Sequence, residues 1–216
     1  STILPLSDLA TDMDDGTLKE VKKMIHDRQH GRLWVVGSND TTAKLIDSSY
    51  RRFVKLMDDH LSVSRFLFGE KPSSADFAIY GQLTQLIGFD PTSRRIASEN
   101  SLRLVSWVDV MADLSGHDVN NSNWTSLEDS PPSLKEIMKE FGQMYVPALL
   151  ANAKAIMEGD ETWETEIDGS TWKQKAFPYQ AKCLKWIKEE FNTLSKNDKT
   201  RIKTFLEGTG CEAILD

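Results

Sequence analysis

Phe66-Leu-Phe-Gly69-Glu-Lys-Pro72-Ser73-Ser-Ala-Asp76-Phe-Ala-Ile-Tyr80 is the stretch on which the reading of the fold turns. Gly69 interrupts a short apolar piece. Ser73 and Asp76 then form a capping-box pattern, a hydroxyl followed three residues later by a carboxylate. From Phe77 to Gly88 there is no charge, and Phe77, Ala78, Ile79, Tyr80, Leu83, Leu86 and Ile87 leave little polar surface. A helix apolar on nearly all sides is expected in the core. Its first amides would be cut off from water, and Ser73 and Asp76 can satisfy them reciprocally. Replacing either with Ala should cost about 1 kcal/mol or more.

On the N-terminal side, Ile46, Tyr50, Phe53, Val54, Met57 and Leu61 repeat at helical spacing, with Asp47, Arg51, Arg52, Lys55, Asp58 and Asp59 opposite. This predicts an amphipathic helix over residues 42–61. Leu33-Trp34-Val35-Val36 reads as a short extended piece closed by Gly37. Thr17-Leu-Lys-Glu20 is another capping-box pattern, opening a helix with Leu18, Val21, Met24 and Ile25 that Gly31 ends. Residues 1–16 read as a polar, acidic lead-in.

On the C-terminal side, Gly88 and Asp90-Pro91 stop the uncharged helix. Another follows over residues 101–114, carrying Leu104, Val105, Trp107, Val108 and Met111. Residues 116–132 are rich in Asn, Ser, Asp and Pro and mark a loop or internal boundary. A long helix begins near Ser133 with Glu136 as its box partner, and Pro147 should kink it. Asp168-Gly169, between Trp163–Ile167 and Thr171-Trp172, is a hairpin signal. Two helices close the chain, one after Pro178 and one from Ser195 to Gly208.

The sequence has 216 residues, 39% of them hydrophobic, enough for a sizeable core. Its formal net charge of -7 argues against a nucleic-acid partner or an anionic membrane surface, both of which need clustered Lys and Arg. No apolar run approaches the ~20 residues of a membrane span. Ser-Thr-Ile-Leu-Pro5 has neither the basic start nor the apolar stretch of a signal peptide. Cys183 and Cys211 belong to no CxxC pair and are expected as reduced thiols in a cytoplasmic protein.

The order of Gly loop, Ser73/Asp76 box, uncharged helix and the Trp107 helix resembles the C-terminal helical domain of the glutathione transferase superfamily. The resemblance covers roughly residues 17–115. It implies an all-α fold, a transferase-like helical bundle over residues 1–118. Residues 119–216 are expected as a helical extension with one small β-hairpin, packed on that bundle. In the family, glutathione is held by an N-terminal thioredoxin-like domain that also carries the catalytic Tyr, Ser or Cys and a cis-Pro loop. No strand-helix-strand pattern precedes residue 17, so the expectation is a chain without that domain. It would have no catalytic residue and no cofactor of its own, glutathione being the co-substrate of the parent family. Val146-Pro147 looks like the cis-Pro loop, but falls inside a helical pattern. The resemblance implies a small hydrophobic electrophile as ligand and a homodimer as assembly. The alternative is a non-catalytic protein–protein interaction module, since transferase-like helical domains also serve as assembly parts of translation factors and synthetases.

Transferase helical domains supply the wall for the second substrate, so aromatics are candidates. The expected substrate-binding residues are Trp34, Tyr145, Asn152, Tyr179, Gln180 and Lys182, with Trp163 and Trp172 packing the hairpin. Lys182 beside Cys183 could lower the thiol pKa, although a small buried hydrophobe is the commoner role. His26 and His30 share a helix face, but no Cys or HExxH pattern accompanies them, and no metal is expected. His30 instead suits the C-terminal end of a helix dipole.

Overall fold

The computed structural model describes residues 12–116 and 124–215, and along them the chain is mainly helical. Helix α1 (Asp15–His30) is capped by Asp14 rather than by the expected Thr17/Glu20 box. The Asp14 carboxylate accepts from the Thr17 amide at 3.0 Å and from its hydroxyl at 2.6 Å. Leu18, Val21 and Ile25 are only half-buried, and α1 has no buried residue. Leu33–Val36, expected to be extended, is a 3-10 turn that Gly37 closes at φ 75. Four residues with no partner strand have nothing to hold them extended, whereas a left-handed glycine ends a helical turn well.

The bundle follows: α2 (Ala43–Leu61), α3 (Ser74–Leu86), α4 (Pro91–Asn100), α5 (Leu102–Ala112) and α6 (Pro132–Met144). Val54 and Met57 of α2 meet Phe66, Leu83, Leu104 and Leu134 in one core. The division expected at residue 118 lies outside the described residues. Leu134 and Ile137 belong to this first core, so the bundle reaches through α6.

Two expectations need correction. Helix α3 is not enclosed: its buried residues are Asp76 and Leu83, while Phe77 is 50% exposed. It packs against α5 and α4 along one side, and its uncharged outer side is open. Helix α4 was not expected at all. Its apolar content is two buried residues, Ile96 and Ala97, too few for a periodic signal. Its start is nonetheless well marked: Asp90 accepts from the Thr92 and Ser93 amides at 3.0 and 2.8 Å, and Pro91 fills the first turn.

The break at Pro147 is real. Helix α6 ends at Met144, Tyr145 carries the junction, and α7 (Val146–Glu158) takes Pro147 into its first turn, where no amide donor is needed. Ser133 does not cap α6; its hydroxyl lies 3.0 Å from His60 Nδ1. Strands β1 (Thr162–Ile167) and β2 (Ser170–Lys175) form the expected hairpin, with Asp168 and Gly169 at φ 47 and 73 in its turn. These positive angles suit a two-residue turn. Trp163 faces Gln174 and Trp172 faces Thr165, so the two tryptophans lie diagonally on one face. Helix α7 packs on β1 and on α8 (Pro178–Thr193), around a small second core of Ala155, Trp163 and Ala176. Helix α9 (Lys196–Leu206), capped by Ser195, and a 3-10 turn at Cys211–Ile214 complete the fold.

Candidate functional site

The Ser73/Asp76 pair is built into the bundle. Ser73 Oγ accepts from the Asp76 amide at 3.3 Å, and Asp76 Oδ2 accepts from the Ser73 amide at 2.8 Å and its hydroxyl at 2.6 Å. The other oxygen, Oδ1, accepts from the Leu67 amide at 2.9 Å, which ties the Gly69 loop to the start of α3. Asp76 is fully buried, and both its oxygens are engaged. It positions structure and is closed to ligand.

A groove of about 570 Å³ lies between α2, α4 and α6. That volume lies in the range of small-molecule sites. Ile46, Tyr50, Phe53, Ile96, Phe141 and Met144 make its apolar walls. The positions of α2 that face the core are Leu45, Val54, Met57 and His60. Ile46, Tyr50 and Phe53 stand on the flank of the same stripe, half-buried, and turn toward the groove. An apolar stripe wider than one packing face was the sequence signal for this site, and periodicity alone assigns all of it to the core.

The Tyr50 hydroxyl and the Glu140 carboxylate on the groove are already paired. Tyr50 donates its hydroxyl to the Ser93 carbonyl at 3.1 Å. Burial, with the Asp90 carboxylate beside it, pushes its pKa up to about 12, so the phenol stays protonated. Glu140 is nearly buried and takes a two-pronged Arg52 guanidinium at 2.8 and 3.0 Å. The hydrogen bond to Glu140 holds the Arg52 pKa above its ordinary value. Arg52 also reaches Asp168 in the hairpin turn at 3.1 Å, so one cation joins α2, α6 and the hairpin. The described residues lining the groove include no histidine or cysteine.

The six residues expected to bind substrate do not converge on one patch. Tyr145 and Gln180 share a smaller cavity of about 200 Å³ with Trp163 and Trp172, separated from the groove by Met144, which borders both. Asn152 is fully buried away from any ligand: its amide donates to the Phe177 carbonyl at 2.9 Å, and its oxygen accepts from the Phe177 amide at 2.7 Å. It fixes the start of α8, which has no side-chain cap of its own. Tyr179 and Lys182 lie on the outer side of α8 with Trp186. The Tyr179 ring meets Trp186 edge-on, and the Lys182 ammonium sits 4.8 Å from the Trp186 centroid. Trp34 is 57% exposed on the 3-10 turn before Gly37.

His26 and His30 stack at 5.9 Å on the exposed face of α1. Among the described residues no three metal-ligating side chains come together. Both cysteines are free. Burial raises the Cys211 pKa, and its thiol donates to the Met138 carbonyl at 3.2 Å. Among the described residues no helix is long and apolar enough to cross a membrane. Compared with known proteins, the chain matches no family model, no curated protein and no solved structure.

Proposed function

We propose that this chain is the substrate-side helical part of a glutathione-transferase-like protein of the cytoplasm, and that the groove between α2, α4 and α6 receives the apolar body of a small electrophile. The observation that carries this reading is the groove itself, apolar on its walls, with its Tyr50 hydroxyl and Glu140 carboxylate already paired. Such a surface binds by burial. The Ser73/Asp76 box, in its sequence order before the Trp107 helix, supports the family resemblance. Among the described residues the hairpin is the only sheet, so glutathione would be held by a thioredoxin-like domain that these residues do not form.

Titration with 1,3-dinitrobenzene, an unreactive stand-in for an electrophilic arene, tests the groove. Ala43 lies at its edge, exposed, and Ala43→Trp should block the site without touching the core. Binding by the unaltered chain that Ala43→Trp abolishes supports the reading. Binding that is absent, or that ignores Ala43→Trp, sinks it. Glutathione added alone to this chain should give no calorimetric heat, and clear micromolar binding would defeat the proposed division of labour.

A non-catalytic interaction module is the second reading. It is favoured by the open side of α3, where Phe77 and Ala78 are exposed and uncharged. The same face would serve a homodimer. Light scattering of the chain and of Phe77→Glu separates these: a dimer dissociated by the substitution supports self-association, and a monomer in both leaves that face for another protein.

A further inference from the structure

Helices α7 and α8 enclose a groove of their own, of about 440 Å³. Leu150, Ala153 and Met157 line it from one stripe of α7, and Ala181 and Leu184 from one stripe of α8. Leu184 is buried and Leu150 half-buried, while Met157 is 83% exposed. The small side chains at 153 and 181 leave a trough that longer ones would fill. An apolar floor is therefore open to water.

Charge separates this groove from the one between α2, α4 and α6. The first is bordered by Asp47 and Glu140 and by no Lys or Arg. The second is bordered by Lys154, Lys185, Lys188 and Glu189, with Asn192 as its neutral polar group. Three cations against one anion stand here in a chain of formal net charge -7. Their existing partners compete weakly. Lys154 lies 4.0 Å from Glu158 and Lys185 3.5 Å from Glu189, and all four side chains are more than half exposed, where such pairs contribute little. Lys188 follows Leu184 by one turn on the lining stripe. It is half-buried and has no ion-pair partner among the described residues. A lysine so placed lays its methylenes on apolar surface and keeps its ammonium at the water edge.

The complement to an apolar trough with a cationic rim is a hydrocarbon body with one anionic head. The volume lies in the range of small-molecule sites. A stable protein partner covers about 20–30 residues, and this groove has ten. We propose that the groove between α7 and α8 binds a long-chain carboxylate, its chain along Leu150, Ala153, Met157 and Leu184 and its head paired with Lys185 and Lys188. These two lysines are three positions apart and share a helix face. The site is separate from the first groove and does not depend on the transferase reading.

Calorimetric titration of the 216-residue chain with dodecanoate, below the concentration at which it forms micelles, tests the proposal. The expected result is saturable binding of one dodecanoate per chain. Octanoate, four methylenes shorter, should bind at least about tenfold more weakly. Dodecyltrimethylammonium, with a similar chain and the opposite head, should be weaker by at least about tenfold too. Lys185→Glu with Lys188→Glu should reverse the preference between the two heads, a change that loss of structure would not produce. Met157→Glu alters only a rim position and should lower dodecanoate affinity about fivefold. Ala43→Trp, which blocks the first groove, should leave dodecanoate binding unchanged. Absence of dodecanoate binding overturns the proposal and leaves the groove to a partner protein. Equal affinities for the two heads, an unaltered preference in the double variant, or binding lost in Ala43→Trp would overturn it as well.

Discussion

Val54, Met57, Phe66, Leu104 and Leu134 fill the bundle of α2 to α6 with large, fully buried side chains, whereas around α7 the second core is Ala155, Ala176 and a single large ring, Trp163. The first region is held by buried apolar area, which is spread over many residues. The second is held at points. Asn152 clamps both backbone groups of Phe177. Gly142 lets the turn before Cys211 approach so closely that a Cβ there would fall 1.9 Å from the Thr209 carbonyl oxygen. Gly37 does the same for the Trp172 indole, which would lie 2.1 Å from an added Cβ. The bundle should therefore suffer most from atoms removed, and the C-terminal unit from atoms added or single bonds lost.

The largest expected effect is in the bundle. Phe66→Ala empties the centre of the core and should destabilise the whole chain by about 3–5 kcal/mol. Urea unfolding followed by circular dichroism should show it as a lower midpoint for all the helices together. Gly142→Ala comes next, at about 3 kcal/mol for the collision with Thr209. Its effect should be local: faster hydrogen exchange over residues 208–215 and a Cys211 that becomes reactive to thiol reagents. A bundle midpoint that falls as far as in Phe66→Ala, with Cys211 still protected, would erase the distinction between the two regions.

Asn152→Ala leaves the amide of Phe177 without a partner, while its carbonyl keeps the Gln180 amide at 3.1 Å, and should destabilise by about 2 kcal/mol. The loss should appear first in the tryptophan fluorescence of the hairpin and α8. Unchanged stability, with loss of arene binding, would return Asn152 to the ligand role that its sequence neighbourhood implied.

The same comparison explains what could be read from the sequence. Capping residues and turn residues act through backbone groups a few positions away. The Ser73/Asp76 box, the Asp168-Gly169 turn and the break at Pro147 were legible for that reason. Sequence spacing finds a wide stripe on α2 but does not divide it between core and groove, since that depends on where α4 and α6 lie. Helix α4 buries only Ile96 and Ala97, too few to show as periodicity, and its Asp90-Pro91 start equally suits the end of the helix before it. The scattered fate of Trp34, Asn152 and Lys182 has the same origin: side-chain type gives chemistry, and tertiary position decides whether that chemistry is free. Asn152 was spent on Phe177, and Lys182 on Trp186.

The smallest expected effect concerns protons. His60 is fully buried, with Nε2 3.2 Å from the Phe66 carbonyl and Nδ1 3.0 Å from the Ser133 hydroxyl. A carbonyl only accepts, so Nε2 carries the hydrogen and Nδ1 accepts from Ser133. Burial holds the His60 pKa below its ordinary value of about 6.5, and the opposing pull of the Phe66 carbonyl and of Asp76 is weaker. Between the lowered folded value and the ordinary unfolded one, the unfolded chain binds more protons, so stability rises with pH. The contribution is complete above about pH 6.5 and is lost as pH falls from there through the folded value. The urea midpoint should accordingly be lower at about pH 5.5 than at about pH 7.5. His60→Gln keeps a donor for the Phe66 carbonyl and removes the titration, so it should flatten that slope. An equal slope in His60→Gln would assign the pH response to the carboxylates and take His60 out of it.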